Sequence, residues 1–483
     1  MSDEEEALRL QASIAGLADH EPLVSAKRVL TDRQRKLGIG LIVVFFIGCV
    51  VDLEATISAL VSVITLFYVG AIIYRLALFR ASNRPGTTEV VDDVEARAVP
   101  DDELPIYTVM IPAYREPEVI EELIQRITNF EYPPDRLDVK LLIEADDGAT
   151  IDAIEKALPG DQFELVLIPP AEPRTKPKAL NYGLTLARGE LVAIYDAEDE
   201  PEPLQLRRAA VVMARQGPDV ACVQAKLDYH NPMQNMITKW FTIEYALWFS
   251  FFLPGLASMN APIPLGGTSN HFRRVALQAL GAWDPFNVTE DADLGIRMFR
   301  EGYTVKVLDS STYEEANSDF VNWMKQRSRW LKGYLQTFAV HFRQPAELRR
   351  ELGWRGLMHY TMFVGGTPIL AIVNPIFWFM TLLWFVAHPA FIQQLFPAPV
   401  YYLGLVSWAF GNFLLVYVTV MSCRVAKRGE LLVAALLVPI YWVMMSMAAV
   451  KAVSQLVGAP TFWEKTVHGL HHSPQAVPAD VPS

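Results

Sequence analysis

The distribution of apolar residues limits the architecture of this chain more than any other feature. Long apolar segments occupy residues 37–51, 55–79, 357–387, 401–421 and 431–457. Most of them are long enough to form a helix across the ~30 Å hydrocarbon core of a bilayer. Between the second and third segments lies a charge-rich region of roughly 270 residues, enough to bury a core of its own. The pattern predicts a multi-pass membrane protein with a large extramembrane domain in its middle.

Basic residues beside the apolar segments predict the side on which this domain lies. The stretch KRVLTDRQRK at 27–36 precedes the first segment, Arg75 lies near the end of the second, and Arg80 and Arg84 follow it. Because Lys and Arg favour the cytoplasmic side, we expect the domain in the cytoplasm and the chain in the inner or plasma membrane. The formal net charge of −12 argues against nucleic acid as a partner, since such binders need a basic surface.

These patterns divide the chain into six segments. We predict an N-terminal cytoplasmic segment at 1–36, two transmembrane helices at 37–80, a polar linker at 81–104, a cytoplasmic domain with interfacial helices at 105–345, a C-terminal membrane region of three or four segments at 346–458, and a tail at 459–483. The apolar stretch 236–255 is interrupted by charges, so we expect it to lie at the membrane interface under the domain.

The central domain alternates short apolar runs with amphipathic stretches of helical period. The predicted strands cover residues 106–111, 139–143, 165–168, 191–195 and 220–224. Alternation of this kind predicts an α/β domain with a parallel, doubly wound sheet. Ligands of such sheets bind at the carboxyl ends of the strands, and two of these strands end in the acidic stretches EADDG and YDAEDE. The sequence therefore predicts clustered carboxylates at one edge of the sheet.

The acidic stretch at 196–200 is a candidate metal site. Asp196 and Glu198 are two residues apart, and Asp199 is a third candidate. Carboxylate oxygens suit Mg²⁺ or Mn²⁺, which are often shared with substrate phosphates. A solvated acidic turn before a helix is the alternative, and Asp146 and Asp147 of EADDG can likewise form a simple turn.

Two further stretches offer groups for binding. The sequence TKPKALNYGL places Lys176 and Lys178 at a helix start, where positive charge and free amides suit a diphosphate; the alternative is a surface lysine pair. The stretch GGTSNHFRR contains His271, and a lone histidine is more often structural than catalytic. The acids of TEDADLG at 289–295 precede a helix, and Thr289 and Asp291 can serve simply as its caps.

The order of the motifs is more specific than any one of them. It runs IPAYRE, EADD, KPKALN, DAED, GGTSNHFRR, TEDADLG, QRSRW and then membrane. Over about residues 105–335 this order resembles the processive family 2 glycosyltransferases, which include cellulose, hyaluronan, chitin and β-glucan synthases. The pair of TED and Q-x-x-R-W is specific, whereas the earlier motifs occur in many family 2 enzymes. Without that order, the arginines and tryptophan of QRSRW would be interpreted as interfacial anchors.

The resemblance implies a GT-A fold, inserted between transmembrane helices, that binds a nucleotide-diphospho-sugar. On the donor side it places Ala113, Tyr114 and Glu116 near the base and ribose, and Asp147 with Asp146 against the nucleoside. It places Lys178, Gln326 and Arg329 near the diphosphate. Asp196 and Glu198 stand at the metal-binding DxD motif of the family. The family usually has aspartate at the second acidic place, so the choice between Glu198 and Asp199 stays open.

On the acceptor side the resemblance makes Asp291 the general base. One positioned carboxylate suffices, because the acceptor hydroxyl must lose its proton as it attacks the anomeric carbon. Trp330 would stack on the acceptor sugar. Glu290, beside the base, and His271, in the GGTSN loop, would line the acceptor pocket.

The stretch APTFWEKTVHGL at 459–470 resembles, loosely, the gating loop that folds over the donor in these synthases. The candidates are Phe462, Trp463, Lys465 and Thr466, and the alternative is an interfacial aromatic anchor. Three simple spans after a cytoplasmic domain would put this stretch outside. We therefore expect 431–457 to be partly an interface helix or a broken hairpin, or 357–387 to enter the membrane twice.

The leading hypothesis is inverting transfer of a sugar, with UDP-glucose as the default donor, to a growing β-linked polysaccharide that leaves through the enzyme's own channel. The alternative is a glycolipid synthase that adds one sugar to a membrane lipid. A transporter without catalysis would not need the acid clusters and the base. Expected partners are the nucleotide sugar, a carbohydrate or lipid acceptor, the membrane and accessory export subunits.

Overall fold

A mixed β-sheet organises the central domain in the computed structural model, which describes residues 3–157, 160–462 and 464. The strand order is β3-β2-β1-β4-β7-β6-β8-β5. The strands are β1 Tyr107–Ala113, β2 Leu137–Glu144, β3 Phe163–Ile168, β4 Leu191–Ile194, β5 Glu200–Pro201, β6 Val220–Tyr229, β7 Asn270–Arg273 and β8 Thr304–Glu314.

The prediction of a wholly parallel sheet is wrong at two strands. β1, β2, β3 and β4 pair in parallel, as do β6 and β8. However, β7 runs antiparallel between β4 and β6, and β5 runs antiparallel to β8. After β6 the chain leaves the sheet for a set of helices and re-enters it in the opposite direction, which the strand-helix alternation upstream could not indicate.

Helices cover both faces of the sheet and continue into the membrane region. From the N-terminus they are α1 Asp3–His20, α2 Asp32–Val51, α3 Leu53–Ser82, α4 Asp93–Ala98, α5 Ile120–Thr128, α6 Gly148–Ala157, α7 Lys176–Leu184, α8 Gln205–Arg215, α9 Met236–Leu247, α10 Leu253–Ser258, α11 Arg274–Ala279, α12 Glu290–Arg300 and α13 Phe320–His341. The C-terminal helices are α14 Pro345–Tyr360, α15 Gly366–Ala387, α16 Ala390–Leu395, α17 Ala398–Val406, α18 Asn412–Val425, α19 Leu432–Leu436 and α20 Val438–Gly458.

Alternate residues of the central strands enter two different hydrophobic cores, as the pleat of a strand requires. Val109 and Ile111 of β1 pack with α5 and α8 on one face. Met110 between them packs on the other face, with α7, α9 and α10. Because the strands are buried on both faces, they appear in the sequence as apolar runs rather than as alternating patterns.

Within the described residues, five helical stretches are long and apolar enough to cross a membrane. They are Asp32–Val51, Leu53–Ser82, Pro345–Ala387, Ala398–Val425 and Val438–Gly458. They coincide with the five apolar segments of the sequence. The stretch 236–255, expected at the membrane interface, forms α9, a π-helical turn and the first half of α10, which pack against α3 and α18.

The last of these stretches, α20, lies along α13 of the central domain. Trp323 Nε1 donates to Tyr441 Oη at 3.3 Å near the start of α20. Leu331 packs in one cluster with Ala448, Ala449 and Ala452 farther along. Beyond the end of α20, Lys332 Nζ donates to the Phe462 carbonyl at 2.6 Å. Phe462, just after α20, therefore lies against the domain, while α20 itself is long and apolar enough to cross a membrane, so the interface helix or broken hairpin expected at 431–457 stays a prediction.

Candidate active site

The carboxyl ends of β1, β2 and β4 meet at one edge of the sheet, because these strands are parallel neighbours. The residues that follow them are therefore brought together as predicted. Tyr114 and Glu116 follow β1, Asp146 and Asp147 follow β2, and Asp196 and Glu198 follow β4. Ala113 is the last residue of β1.

Asp146 and Tyr114 share one arginine that the sequence analysis did not select. Arg174 donates to Asp146 Oδ2 at 2.7 Å and to Tyr114 Oη at 3.2 Å. The hydrogen bond from Arg174 lowers the pKa of Asp146. Tyr114, Asp146 and Arg174 thus form a polar cluster at the rim of the edge, suited to a nucleoside.

Asp147 shapes the backbone at this edge. Its buried carboxylate accepts from the Arg115 backbone N–H at 2.5 Å and from the Thr150 N–H at 3.4 Å. Arg115 has φ +59°, a left-handed conformation that costs free energy for a non-glycine residue unless it is held. The Glu116 N–H donates to Thr150 Oγ1 at 3.2 Å. Asp147 therefore fixes the loop after β1 to the start of α6.

The structure separates the two lysines of KPKALN, and the assignment of Lys178 to the phosphates is wrong. Lys178 is 0% exposed; its Nζ pairs with Glu144 Oε1 at 2.6 Å and donates to the Ala171 carbonyl at 2.8 Å. A lysine already neutralised inside the protein cannot reach a ligand. Residues two apart on a helix face different directions, and it is Lys176 that faces the carboxylates of the edge.

Lys176 links Asp196, the first acid of the candidate metal motif, to Gly267 in the GGTSN loop. Its Nζ contacts Asp196 Oδ1 and donates to the Gly267 carbonyl at 2.7 Å. Burial lowers the pKa of Lys176, but Asp196 and Glu290 more than offset this, so that the pKa is raised. Lys176 is therefore held as a cation among acids.

Asp199 has a structural position that separates it from Asp196 and Glu198. It is buried, accepts from the Asp196 N–H at 2.7 Å, and is also bonded to Thr268 Oγ1. Burial raises the pKa of Asp199 well above its ordinary value, and the charge of Asp196 adds to this effect. Asp196 and Glu198 are partly exposed, so they are the acids that a ligand at this edge can reach.

The acids at this edge fit a divalent cation in chemistry, although they would not hold one alone. Among residues 3–157, 160–462 and 464, no three His, Cys, Asp or Glu side chains are grouped to hold a metal ion. Several acids nevertheless lie close together here, because burial raises the pKa of Glu314 well above its ordinary value and the nearby Asp199, Glu198 and Asp196 raise it further. Asp196 and Glu198 provide the oxygen ligands that Mg²⁺ and Mn²⁺ prefer, and substrate phosphates commonly complete such a shell.

The acids of TED lie at the start of α12, close to Lys176. An ideal Cβ on Gly267 would be 3.3 Å from Asp291 Oδ2, so Asp291 adjoins the loop whose carbonyl accepts from Lys176. Burial raises the pKa of Asp291, although the Ala292 N–H, Lys176 and Arg329 act in the opposite direction. Burial also raises the pKa of Glu290 to about 8, and the charge of Asp291 adds to it.

Helix α13 is hydrogen-bonded to the TED turn, which positions QRSRW relative to Asp291. Gln336 Oε1 accepts from the Val288 N–H at 3.1 Å, and Asn287 Nδ2 donates to Thr337 Oγ1 at 2.9 Å. A Cβ on Gly333 would lie 2.3 Å from the side chain of Thr289. Glycine is needed at this contact because the helix and the turn approach too closely for any side chain.

The two arginines of QRSRW have different surroundings. Burial lowers the pKa of Arg329, while Glu290, Asp291 and Asp196 all lie near enough to raise it, so Arg329 faces the acidic site. Arg327 is buried, pairs with Glu244 at 2.6 Å, and places its guanidinium 4.1 Å from the Phe241 centroid. Arg329 therefore belongs to the site, and Arg327 joins α13 to α9.

Gln326 and Trp330 are packed within the domain. Gln326 Oε1 accepts from Asn317 Nδ2 at 2.8 Å. Arg327 lies 4.2 Å from the Trp330 centroid, and Tyr245 is stacked on Trp330 at 6.2 Å with an interplanar angle of 15°. Arg327 covers one face of the indole, which leaves less of it for the predicted stacking on an acceptor sugar.

The prediction that His271 lines an acceptor pocket is wrong. His271 lies on β7 in the middle of the sheet, is 0% exposed, and its Nδ1 is 2.6 Å from Tyr107 Oη. Burial lowers its pKa to about 3, so it is neutral. Its ring packs between Tyr107 and Tyr195, which makes it part of the core.

Of the four gating-loop candidates, the structure describes Phe462 only. Its carbonyl accepts from Lys332, and its ring is exposed. Trp463, Lys465 and Thr466 lie outside the described residues.

Two residues near the site, Arg174 and Glu314, are not among the sequence-based candidates, and a third, Lys176, was assigned no role by the family resemblance. The sequence places Lys176 and Lys178 at the same helix start. Only the orientation of that helix on the sheet decides which of the two lysines faces the site. Arg174 lies two residues before the KPKALN motif, and Glu314 ends β8 thirteen residues before Arg327. Nothing in the local sequence indicates that Glu314 lies near Asp196.

Comparison with known proteins agrees with this geometry. Residues 105–333 match the family described as "Glycosyltransferase like family 2". The beta-monoglucosyldiacylglycerol synthase of Trichormus variabilis is 26% identical over 265 residues, 54% of this chain and 55% of that protein. The probable glucomannan 4-beta-mannosyltransferase 1 of Arabidopsis thaliana is 28% identical over 283 residues, 56% of this chain and 50% of that protein. The chain thus spans about half the length of these curated relatives.

A solved structure has a similar fold. The mannosyltransferase PcManGT from Pyrobaculum calidifontis, in complex with GDP-Man and Mn²⁺, superposes with a TM-score of 0.51 at 20% sequence identity, covering 84% of this chain and 99% of that one. The sheet, the acidic strand ends, the family match and this likeness agree. Residues 105–333 of the protein thus match the family 2 glycosyltransferases, and the domain has the GT-A fold.

Proposed function

We propose that the protein transfers a hexose, with inversion, from a nucleotide-diphospho-sugar to the end of a growing β-linked polysaccharide, and that the product leaves through the membrane part. UDP-glucose is the first donor to test. One observation carries the proposal: a candidate base, Asp291, lies beside Lys176 and Arg329 at an acidic strand edge, in a domain that packs on membrane helices.

The chemistry follows from the charges of these groups. The acceptor hydroxyl attacks the anomeric carbon and gives its proton to the Asp291 carboxylate, while the bond from that carbon to the diphosphate oxygen breaks. Lys176 and Arg329 offset the negative charge that develops on the leaving diphosphate. A divalent metal held by Asp196 and Glu198 would supply further positive charge there.

Two cavities in the membrane region support a polymeric product. The first, of about 140 Å³, is lined on the domain side by Trp240, Glu244 and Tyr441. The second, of about 90 Å³, extends to Tyr401 beside the loop between α15 and α17. Tyr68 of α3 lines both, so the cavities follow one another across the membrane helices.

The lining of the cavities favours a hydroxyl-rich chain over an acyl chain. Aromatic rings dominate the second cavity, and such rings suit the apolar faces of sugar rings. Among the described residues, Asn374 Oδ1 at the first cavity and the indole N–H groups of Trp378 and Trp384 at the second are buried without hydrogen-bond partners. Each unpaired buried polar group costs about 1–3 kcal/mol, which sugar hydroxyls can offset and hydrocarbon cannot.

The layout of the chain completes the proposal. The catalytic domain lies in the cytoplasm, because the basic flanks of the early spans favour that side. Phe462, beyond α20, contacts Lys332 of α13, which supports the gating loop expected at 459–470. The proposal keeps the six segments predicted from the sequence. It also keeps accessory export subunits as expected partners.

A second candidate function is the transfer of one sugar to a membrane lipid. It is supported by the likeness to a beta-monoglucosyldiacylglycerol synthase and by the position of the first cavity among membrane helices. Both functions use the same donor chemistry, so the product decides between them.

The test is a donor screen with purified full-length protein in nanodiscs. Radiolabelled UDP-glucose, GDP-mannose and UDP-N-acetylglucosamine are incubated separately with Mg²⁺ or Mn²⁺. A high-molecular-weight product that a linkage-specific glycanase degrades is the expected result. An organic-soluble labelled lipid as the sole product would replace the polymer with the glycolipid function. Release of no nucleotide from any donor would contradict both functions.

A further inference from the structure

The position of Lys176 suggests how donor and metal binding are coupled. Its ammonium group contacts Asp196 Oδ1 and donates to the Gly267 carbonyl at 2.7 Å. These are a carboxylate and a carbonyl oxygen, the two ligand types that a hard divalent cation prefers. The Lys176 ammonium therefore occupies the position next to these oxygens that a metal bound to Asp196 would take.

The charges around Lys176 explain why it is held there. Asp196, Asp199, Glu290 and Glu314 all interact electrostatically with it. Without a bound metal or donor, this ammonium group offsets part of their repulsion. The side chain of Lys176 is 18% exposed and that of Asp196 is 41% exposed, so the pair is open to an incoming ligand.

Lys176 can leave Asp196 without a change of fold. It is the first residue of α7, where free backbone N–H groups attract an anion. Its ammonium is a point charge on a flexible stem, so a diphosphate at the helix start can draw it away from Asp196. Lys178 cannot act in this way, since it is buried against Glu144.

We infer that, in the donor-free protein, Lys176 takes the place of the divalent cation at Asp196, and that the donor diphosphate must draw Lys176 away before the metal binds tightly. The inference rests on the proposed metal-assisted use of a nucleotide-diphospho-sugar. It adds that Lys176 prevents tight metal binding until the donor arrives. The apparent metal affinity is reduced by the fraction of molecules in which Asp196 is free.

The test measures Mn²⁺ binding by EPR to the full-length protein in nanodiscs, with and without UDP, for wild type and Lys176→Met. Without nucleotide, Lys176→Met is expected to bind Mn²⁺ at least about tenfold more tightly than wild type, because Asp196 no longer has a competing cation. UDP binding in the absence of metal should weaken in the same variant, because a phosphate partner is lost. The two changes have opposite signs, whereas a general structural defect would weaken both.

The matched control is Lys226→Met, whose Nζ pairs with Asp309 at 2.5 Å on β6 and β8. It should bind Mn²⁺ as wild type does. Lys176→Gln, which keeps an amide donor for the Gly267 carbonyl, provides a second variant should Lys176→Met not purify. GDP is run in parallel with UDP to cover the other donor class.

Equal or weaker Mn²⁺ binding by the two Lys176 variants in the absence of nucleotide would overturn the inference. Tight Mn²⁺ binding by nucleotide-free wild type, unchanged by UDP or GDP, would overturn it as well and leave the proposed function standing. Absence of Mn²⁺ binding from every variant, with either nucleotide present, would contradict the metal in the proposed function itself.

Discussion

The proposed donor side and the proposed acceptor side of this site are held in place in different ways. On the donor side, Asp147 and Asp199 are held by hydrogen bonds to nearby turns, within three residues or on the neighbouring strand end. On the acceptor side, Asp291 and Arg329 depend on the packing of α12 against α13 and of α13 against membrane helices.

This difference predicts that nucleotide binding and sugar transfer depend on different parts of the structure. The donor edge belongs to a conventional α/β sheet, and its geometry needs no membrane. The geometry of the acceptor side requires that α13 be fixed on both of its sides. Substitutions on the two sides should therefore separate nucleotide binding from sugar transfer.

The largest effect is expected for Asp291→Asn. Loss of the base should reduce the rate of transfer by about 10²- to 10⁴-fold. UDP binding, a property of the donor side, should change little; calorimetric titration of UDP beside the transfer assay checks both. Comparable turnover in the variant would show that Asp291 is not the base.

Lys178→Met should affect stability strongly. It leaves the Glu144 carboxylate buried without its partner, which typically costs about 3–5 kcal/mol. Thermal unfolding in detergent measures the loss, and the double variant Lys178→Met/Glu144→Leu, which removes both charges, should recover most of it. A melting temperature equal to that of wild type in the single variant would argue that Lys178 is not paired in the folded protein.

Gly333→Ala should act on the acceptor side at a smaller scale. The new methyl group would meet Thr289 and push α13 away from the TED turn, at a cost of about 1–3 kcal/mol. We expect the transfer rate to fall and UDP affinity to stay. Gly16→Ala is the matched control, because a Cβ there meets nothing within 4 Å. If both alanine variants behave alike, the close contact is not what positions the base.

The mildest change is the pH dependence of wild-type transfer. Because burial raises the pKa of Asp291, the base is deprotonated, and kcat/KM rises, over a pH range above the ordinary pKa of aspartate, about 3.9. Glu290, with a pKa of about 8, then ionises at higher pH and adds negative charge near the leaving diphosphate, so the rate falls. A pH-rate profile of wild type and Glu290→Gln checks both limbs; an alkaline limb that persists in the variant would assign it to another group.

Much of the donor side could be predicted from the sequence, since strands that end in acids are a local pattern. The choice between Lys176 and Lys178 could not, because their helical register depends on how α7 packs on β2. His271 shows the same limit. Its loop was identified correctly in the motif order, but whether the side chain points to the pocket or the core is set by pairing with β4 and β6.

On the acceptor side the motifs could be recognised in the sequence, but their contacts could not. Arg327 and Arg329 are two residues apart in one short motif, and only the position of Glu244 on α9 shows which arginine is structural. The course of α20 depends likewise on Trp323 and Leu331, which lie more than a hundred residues earlier.

The contact of α20 with α13 has a practical consequence for anyone who wishes to express the catalytic part by itself. A fragment that stops at the end of the family 2 domain would expose the side of α13 that Tyr441 and Ala448 now cover. Such a fragment should fold its nucleotide half and aggregate through the other. Inhibitor screens on soluble fragments would accordingly find nucleotide mimics and miss compounds that act where the sugar is received.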